Sequence, residues 1–276
     1  MLRVDQLQVR FGGVTALDGP SFEVAPGQVC GLIGPNGAGK TTLFDCVSRL
    51  TTPQGGAITL EGRDLLALHP HQVAALGIAR TFQHVGLFSG LTVRENVMLG
   101  GQHAFRPHFG AAALRLPSVR HADRALRARA DDALERLDLA PLASRPAAGL
   151  PYGTLKRIEL ARAIAGSPRL LLLDEPASGL THTEVDALAS LITSVQGERG
   201  LTVLLVEHHM GLVMRLSQKV VVLDFGRKIA EGTPDEVRED PAVIRAYLGA
   251  PAGADGADGA DGASAGGASA RGEAGA

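Results

Sequence analysis

The chain has 276 residues, 45% hydrophobic and 20% charged, enough to bury a substantial core in one globular unit with a sub-domain. The net charge is −2, and because residues 251–276 carry Asp255, Asp258, Asp261 and Glu273 against Arg271, the first 250 hold 26 basic and 25 acidic residues. So balanced a body gives no sign of a nucleic-acid-binding surface. No apolar run approaches the roughly 18 residues of a membrane span, and Met1-Leu2-Arg3-Val4-Asp5 lacks a signal-peptide pattern.

In chain order, residues 2–11 and 20–26 read as short β-segments with turn residues between them, and Pro26-Gly27 turns the chain into an apolar strand, Val29 to Ile33. Gly34-Pro35-Asn36-Gly37-Ala38-Gly39-Lys40-Thr41-Thr42 follows, then a helix-like run from Thr42-Leu43-Phe44. Strand, G-x-x-x-x-G-K-[ST] and helix together make a phosphate-binding loop and not merely a glycine-rich turn. Its glycines let backbone N–H groups and a helix N-terminus wrap a phosphate chain. Lys40 would reach the β- and γ-phosphates, and Thr41 would offer its hydroxyl to Mg²⁺. Cys30 and Cys46 flank this loop without metal-ligand spacing and read as reduced, buried thiols of a cytosolic protein.

Pro53-Gln54-Gly55-Gly56 is a turn, Ala57 to Leu60 a strand and Glu61-Gly62-Arg63-Asp64 another turn, a mixed or antiparallel beginning. Residues 92–139 then read as helices. Between Arg106 and Arg129 lie six arginines and one acid, Asp123. Either a solvated helical face or a docking surface for an acidic partner or lipid headgroups accounts for them. From Leu170 the pattern becomes strands buried on both faces, Leu170 to Leu173 and Val203 to Val206, around a helix-like stretch of 183–195, which implies a parallel sheet with ligands at the carboxyl ends of its strands. Asp174 and Glu175 stand at such an end. Asp174 would help hold Mg²⁺ through its water shell, and Glu175 would orient and deprotonate an attacking water. Residues 251–276 contain no large apolar side chain and are expected to be disordered.

At these motifs residues 2–249 resemble the ATP-binding subunits of ABC transporters. The resemblance implies an α/β fold: a P-loop NTPase (RecA-like) core with a mainly parallel sheet, an N-terminal antiparallel β subdomain and an inserted α-helical subdomain. It divides the chain into an ATPase domain, 1–250, with 1–83 and 156–250 as catalytic core and β subdomain and 84–155 as helical subdomain, followed by the tail 251–276. Phe11 lies where an aromatic ring stacks on adenine, and Gln83, in Arg80-Thr81-Phe82-Gln83, where a glutamine senses Mg²⁺, the attacking water and the membrane partner. Leu150-Pro151-Tyr152-Gly153-Thr154 takes the place of the signature motif, with Leu155 to Ala165 as its helix, and His208 matches a histidine that contacts the γ-phosphate. ATP is thus expected on Phe11, on Gly34, Pro35, Asn36, Gly37, Ala38, Gly39, Lys40, Thr41 and Thr42, and, across a subunit dimer, on Tyr152, Gly153 and Thr154. Mg²⁺ is expected on Thr41, Gln83 and Asp174, and catalysis by Glu175, His208 and Gln83.

Three departures stand out. Pro151 replaces the usual serine, Thr154 the usual glutamine, and Thr181, in Ser178-Gly179-Leu180-Thr181, the aspartate that customarily reaches across the dimer. Either the trans site is damaged, or the Gly153 backbone, the helix dipole and the Thr154 hydroxyl suffice.

Ala79 to His84, Val206 to Met210 and Ile244 to Gly249 resemble the importer subunits for branched-chain amino acids, in particular the longer type, whose extra helical segment matches residues 99–130; His209 stands where an aspartate is commoner. That resemblance implies a peripheral subunit on the cytoplasmic face of the inner membrane. It would pair with a shorter homologous ATPase, or with itself, beneath two transmembrane permeases served indirectly by a substrate-binding protein, with no nucleic acid involved. Urea, amide or lipopolysaccharide transporters use similar ATPases and stay open as alternatives. A soluble ABC ATPase would need a coiled-coil insertion or a second ATPase half.

Overall fold

A computed structural model describes residues 1–83, 85–102 and 117–248. The expected disordered tail, His84 and residues 103–116 of the expected insertion lie outside them.

Two sheets build the frame. The first is antiparallel: β1 (Leu2–Phe11) is flanked by β2 (Val14–Asp18), β3 (Phe22–Val24) and β5 (Gly55–Leu60), with β6 (Arg63–Asp64) outside β5. The second has the order β11-β10-β4-β9-β8-β7, with β4 (Val29–Ile33), β7 (Ile78–Arg80), β8 (Leu170–Asp174), β9 (Thr202–Val206) and β10 (Lys219–Asp224) parallel. Only β11 (Arg227–Gly232) runs against its neighbour. The mainly parallel core sheet and N-terminal antiparallel sheet are as the sequence implied.

The unbroken apolar runs of β8 and β9 follow from burial on both faces. Leu170, Leu172, Leu204 and Val206 enter the core shared with the antiparallel sheet and α1 (Lys40–Val47), while Leu171, Leu173, Val203 and Leu205 enter the core beneath the helices on the other side. Each such leucine removed from water contributes roughly 2 kcal/mol. After the single turn α2 (Pro70–Val73), the helical region follows as α3 (Val93–Gly100), α4 (Pro117–Arg136) and α5 (Tyr152–Ala165), which pack on one another. Then come α6 (His182–Arg199), α7 (Met210–Leu216), α8 (Pro234–Glu239) and α9 (Pro241–Leu248). Among the described residues no helix is long and apolar enough to cross a membrane.

Three local expectations change. The turn expected after Phe11 contains β2, paired with β1 in a hairpin; Val14 is 68% exposed and Leu17 alone is buried, so burial does not alternate along it. A two-residue strand, β6, lies within the turn expected at 61–64. Helix α5 begins at Tyr152, not Leu155, because Pro151 is preset for the N-cap position, with φ −55° and ψ 148°.

Helices α3 and α5 approach so closely at Gly100 that an added Cβ would lie 1.8 Å from the carbonyl oxygen of Arg162. Backbone cannot yield as a side-chain tip can, so Gly100→Ala should destabilise the fold by about 2–3 kcal/mol. An unchanged midpoint and slope in denaturant unfolding would show that the two helices can part without loss.

Candidate active site

The carboxyl ends of β4, β7, β8 and β9 lie side by side, and each delivers part of one site. From β4 comes the phosphate-binding loop. Gly34 has φ +150° and passes so near β10 that a Cβ would meet the Leu223 carbonyl oxygen at 2.1 Å; only glycine fits. Pro35, Asn36, Gly37 and Ala38 carry the turn, and Gly39, in the left-handed region, caps α1. Gly39 also lies against the Ala16 carbonyl of β2, so the β1–β2 hairpin abuts the loop. Phe11, at the hairpin's tip, is 53% exposed. Lys40 donates to the carbonyls of Gly34 (2.7 Å) and Pro35 (2.9 Å). Partial burial depresses its proton affinity, which the carboxylates of Glu175 and Asp174 oppose. Thr41 is exposed and Thr42 half-buried in the first turn of α1, whose N–H groups have no intrahelical partners.

From β8 come the two carboxylates. Asp174 ends the strand and is buried; burial raises its proton affinity, and the guanidinium of Arg80 on β7 counteracts this from 2.8 Å. Glu175 leaves the strand with φ +46°, a conformation strained for a residue with a Cβ, and its N–H donates to the Val206 carbonyl of β9. Gln83, beyond β7, donates from Nε2 to Glu175 Oε2 at 2.9 Å, and His208, beyond β9, places Nδ1 4.0 Å from the same oxygen. The fully buried Glu207 ties this end together. It accepts the N–H of Ala177 at one oxygen and those of His208 and His209 at the other. Lys40, Gln83, the adjacent Asp174 and Glu175, and His208, from four separate segments of the chain, thus gather at one sheet end. A phosphate chain could lie there beside a base and a pair of orienting groups.

Among the described residues no cluster of three or more His, Cys, Asp or Glu could hold a metal. Thr41, Gln83 and Asp174 instead offer a few hard oxygen donors beside a phosphate-binding loop. That suits Mg²⁺, which binds through one or two carboxylates, substrate phosphates and retained water. Cys30 and Cys46 are buried free thiols, pushed by burial up to about 12, and take no part.

The segment expected as the signature lies beside the Gln83 loop, for the ammonium of Lys156, which holds the Gln83 carbonyl, is 5.8 Å from the centre of the Tyr152 ring. Tyr152, Gly153 and Thr154 form the first turn of α5, with no side-chain cap because Pro151 has none to offer. Tyr152 is 43% exposed and packs over Gly179. Thr181 forms the capping box of α6 with Glu184, accepting its N–H at 3.4 Å.

The sequence motifs left two groups unassigned. Arg80 is one. The other is a row on α5 that holds the Gln83 loop by its backbone: Lys156 donates to the Gln83 carbonyl (3.1 Å), Glu159 accepts from the Phe82 N–H (3.1 Å), and Arg162 donates to the Gly86 carbonyl (2.6 Å). Lys156 and Glu159 are almost fully buried, an exception among charged side chains that is a signal in itself once burial is known.

Comparison with known proteins gives a consistent picture. Residues 17–178 match a family described as ABC transporter, and residues 227–253 one described as branched-chain amino acid ATP-binding cassette transporter. The chain is 42% identical to the high-affinity branched-chain amino acid transport ATP-binding protein BraF of Pseudomonas aeruginosa, over 90% of this chain and 98% of that one. It is 43% identical to the corresponding protein LivG of Salmonella typhimurium, with the same coverage. Among solved structures, a nucleotide-free ATP-binding cassette from an ABC transporter superposes with a TM-score of 0.79 at 28% identity, covering 91% of this chain and 99% of that one.

Proposed function

This chain belongs to the ATP-binding subunits of ABC transporters, and from that membership we propose that it is the ATP-hydrolysing subunit of an importer for branched-chain amino acids. The cargo reading is supported by near-complete coverage of two branched-chain amino acid transport proteins and by the match of residues 227–253. The observation that carries the chemistry is the hydrogen bond from Gln83 to Glu175 at the sheet end shared with Lys40 and Asp174.

The N–H groups of the loop and first turn of α1 surround the β- and γ-phosphates, Lys40 neutralises them, and Phe11 stacks on the adenine. Mg²⁺, held through Thr41, Asp174 and Gln83, would draw charge from the transferring phosphoryl group. Glu175 takes a proton from the water as its oxygen attacks the γ-phosphorus, and the bond to the β–γ bridging oxygen breaks to leave ADP. Gln83 orients Glu175 and the water, and His208 steadies the γ-phosphate.

Tyr152, Gly153 and Thr154 present the positive end of α5 to the γ-phosphate held by a second ATPase subunit. Closing two subunits around ATP and parting them after hydrolysis does work on the membrane permeases. A groove of about 510 Å³ beside the Gln83 loop, lined by Phe82, Gly86, Phe88, Leu99 and Pro168 among others, suits a permease segment. On this reading the chain is a peripheral subunit on the cytoplasmic face of the membrane.

The test is reconstitution with two permeases, a shorter ATPase and a binding protein encoded beside it: ATP hydrolysis should rise when leucine, isoleucine or valine is supplied. Stimulation by another cargo alone would refute the substrate, and failure to purify with any membrane protein would refute the transport role. In the same complex Pro151→Ser should change the ATPase rate by less than about tenfold, roughly 1.4 kcal/mol in barrier. The residue at this position sits at the N-cap while the backbone of Gly153 meets the anion. A larger gain would mean the signature is degenerate.

A further inference from the structure

Arg80 occupies the junction of three elements that the reaction uses. It ends β7, paired with Leu172 of β8, and is followed directly by the loop that carries Gln83. Its Nη2 donates to Asp174 Oδ2 at 2.8 Å, and its Nη1 to Asp45 Oδ1 on α1 at 2.7 Å and to Ser48 Oγ at 3.3 Å. Its guanidinium carbon lies 5.5 Å from the centre of the Phe44 ring and 5.2 Å from that of Phe82, and its side chain is 8% exposed. The neighbouring Thr81 adds a second tie, its hydroxyl accepting the Asp174 N–H at 3.3 Å and its N–H donating to the Leu172 carbonyl.

A planar fork of fixed donors can hold two carboxylates in fixed relative positions, which one ammonium on a flexible stem cannot. One of these carboxylates is Asp174. The other is on the helix that begins with Lys40 and Thr41. Because a buried ion pair gains little stability over an apolar filling of the same space, what arginine supplies here is direction. It fixes Asp174 relative to the phosphate-loop helix and both relative to the start of the Gln83 loop.

We propose that Arg80 is a positioning residue of this site, holding Asp174 in the place from which it serves the Mg²⁺ of bound nucleotide and locking the Gln83 loop to that carboxylate. The inference rests on the nucleotide site described above and adds a residue to it. Arg80 does not touch substrate; it acts through Asp174 and through the loop.

The full chain should be compared with Arg80→Lys, Arg80→Met and Asp45→Asn. Binding of Mn²⁺ in the presence of ATP, followed by electron paramagnetic resonance, reads the metal position without turnover. Outer partners of metal ligands characteristically govern affinity by about 10–100-fold. The Mn²⁺ dissociation constant should therefore rise about tenfold or more in Arg80→Met, less in Arg80→Lys and least in Asp45→Asn, while ATP affinity without metal stays within about twofold of wild type. In the assembled complex kcat should fall with little change in KM for ATP, and amide exchange at residues 81–83 and 85–88 should quicken. Should Arg80→Met fail to fold, the lysine and Asp45→Asn variants carry the test. Unchanged metal affinity in those variants, with only a lowered melting midpoint, would make Arg80 a structural brace and overturn its role while leaving the nucleotide site standing. A wild-type chain that binds no ATP would overturn both.

Discussion

Glu175→Gln should leave ATP binding intact while reducing turnover of the assembled complex by about 10²–10⁴-fold, the range carried by a positioned general base. The substitution is nearly isosteric. An amide oxygen can still accept from Gln83 Nε2, now 2.9 Å from Oε2, and the left-handed backbone at φ +46° is unaltered. What disappears is the capacity to take a proton from water. Single-turnover hydrolysis of radiolabelled ATP, with equilibrium nucleotide binding measured on the same preparation, separates the two. Hydrolysis within tenfold of wild type would remove Glu175 from the role of base, and His208, with Nδ1 4.0 Å from the same oxygen, would be the next residue to vary.

Lys40→Ala should act one step earlier, on binding. Its ammonium is the cation of the phosphate loop, half-buried and close enough to Glu175 and Asp174 to feel both. Hydrogen bonds to charged groups are each worth about 1.5–3 kcal/mol, so losing its hold on the phosphates should weaken ATP and ADP binding about a hundredfold, near 2.7 kcal/mol. Titration calorimetry with each nucleotide checks this. Arginine is no substitute, since its planar fork cannot copy a compact ammonium under the loop's own carbonyls. Unaltered affinity in the alanine variant would mean that nucleotide binds elsewhere.

What could be read from the sequence was whatever is local. The phosphate loop needs nine successive residues and its flanks. Asp174 and Glu175 announce themselves at the end of a run buried on both faces, and the parallel sheet follows from alternation of such runs with helices. Contacts across the fold were not legible: Arg80 and Asp174 are 94 residues apart, and Glu159 and Phe82 77. Nothing in either neighbourhood says that a charged side chain will be buried against the other. Strand β2 escaped because its burial runs from an exposed Val14 to a buried Leu17 and does not alternate as strand reading requires. Thr181 stands in the place of an aspartate of the dimer interface, and its spacing from Glu184 also spells a capping box.

The hold of the loop on Lys40 bears on how nucleotide is captured. Its ammonium rests on the carbonyls of Gly34 and Pro35, so the loop's own backbone holds its cation in place. ATP entering this cradle exchanges partners with an already ordered group and need not wait for a segment to fold. Capture is then expected to be limited by encounter, with an observed rate that rises linearly with ATP concentration in stopped-flow mixing.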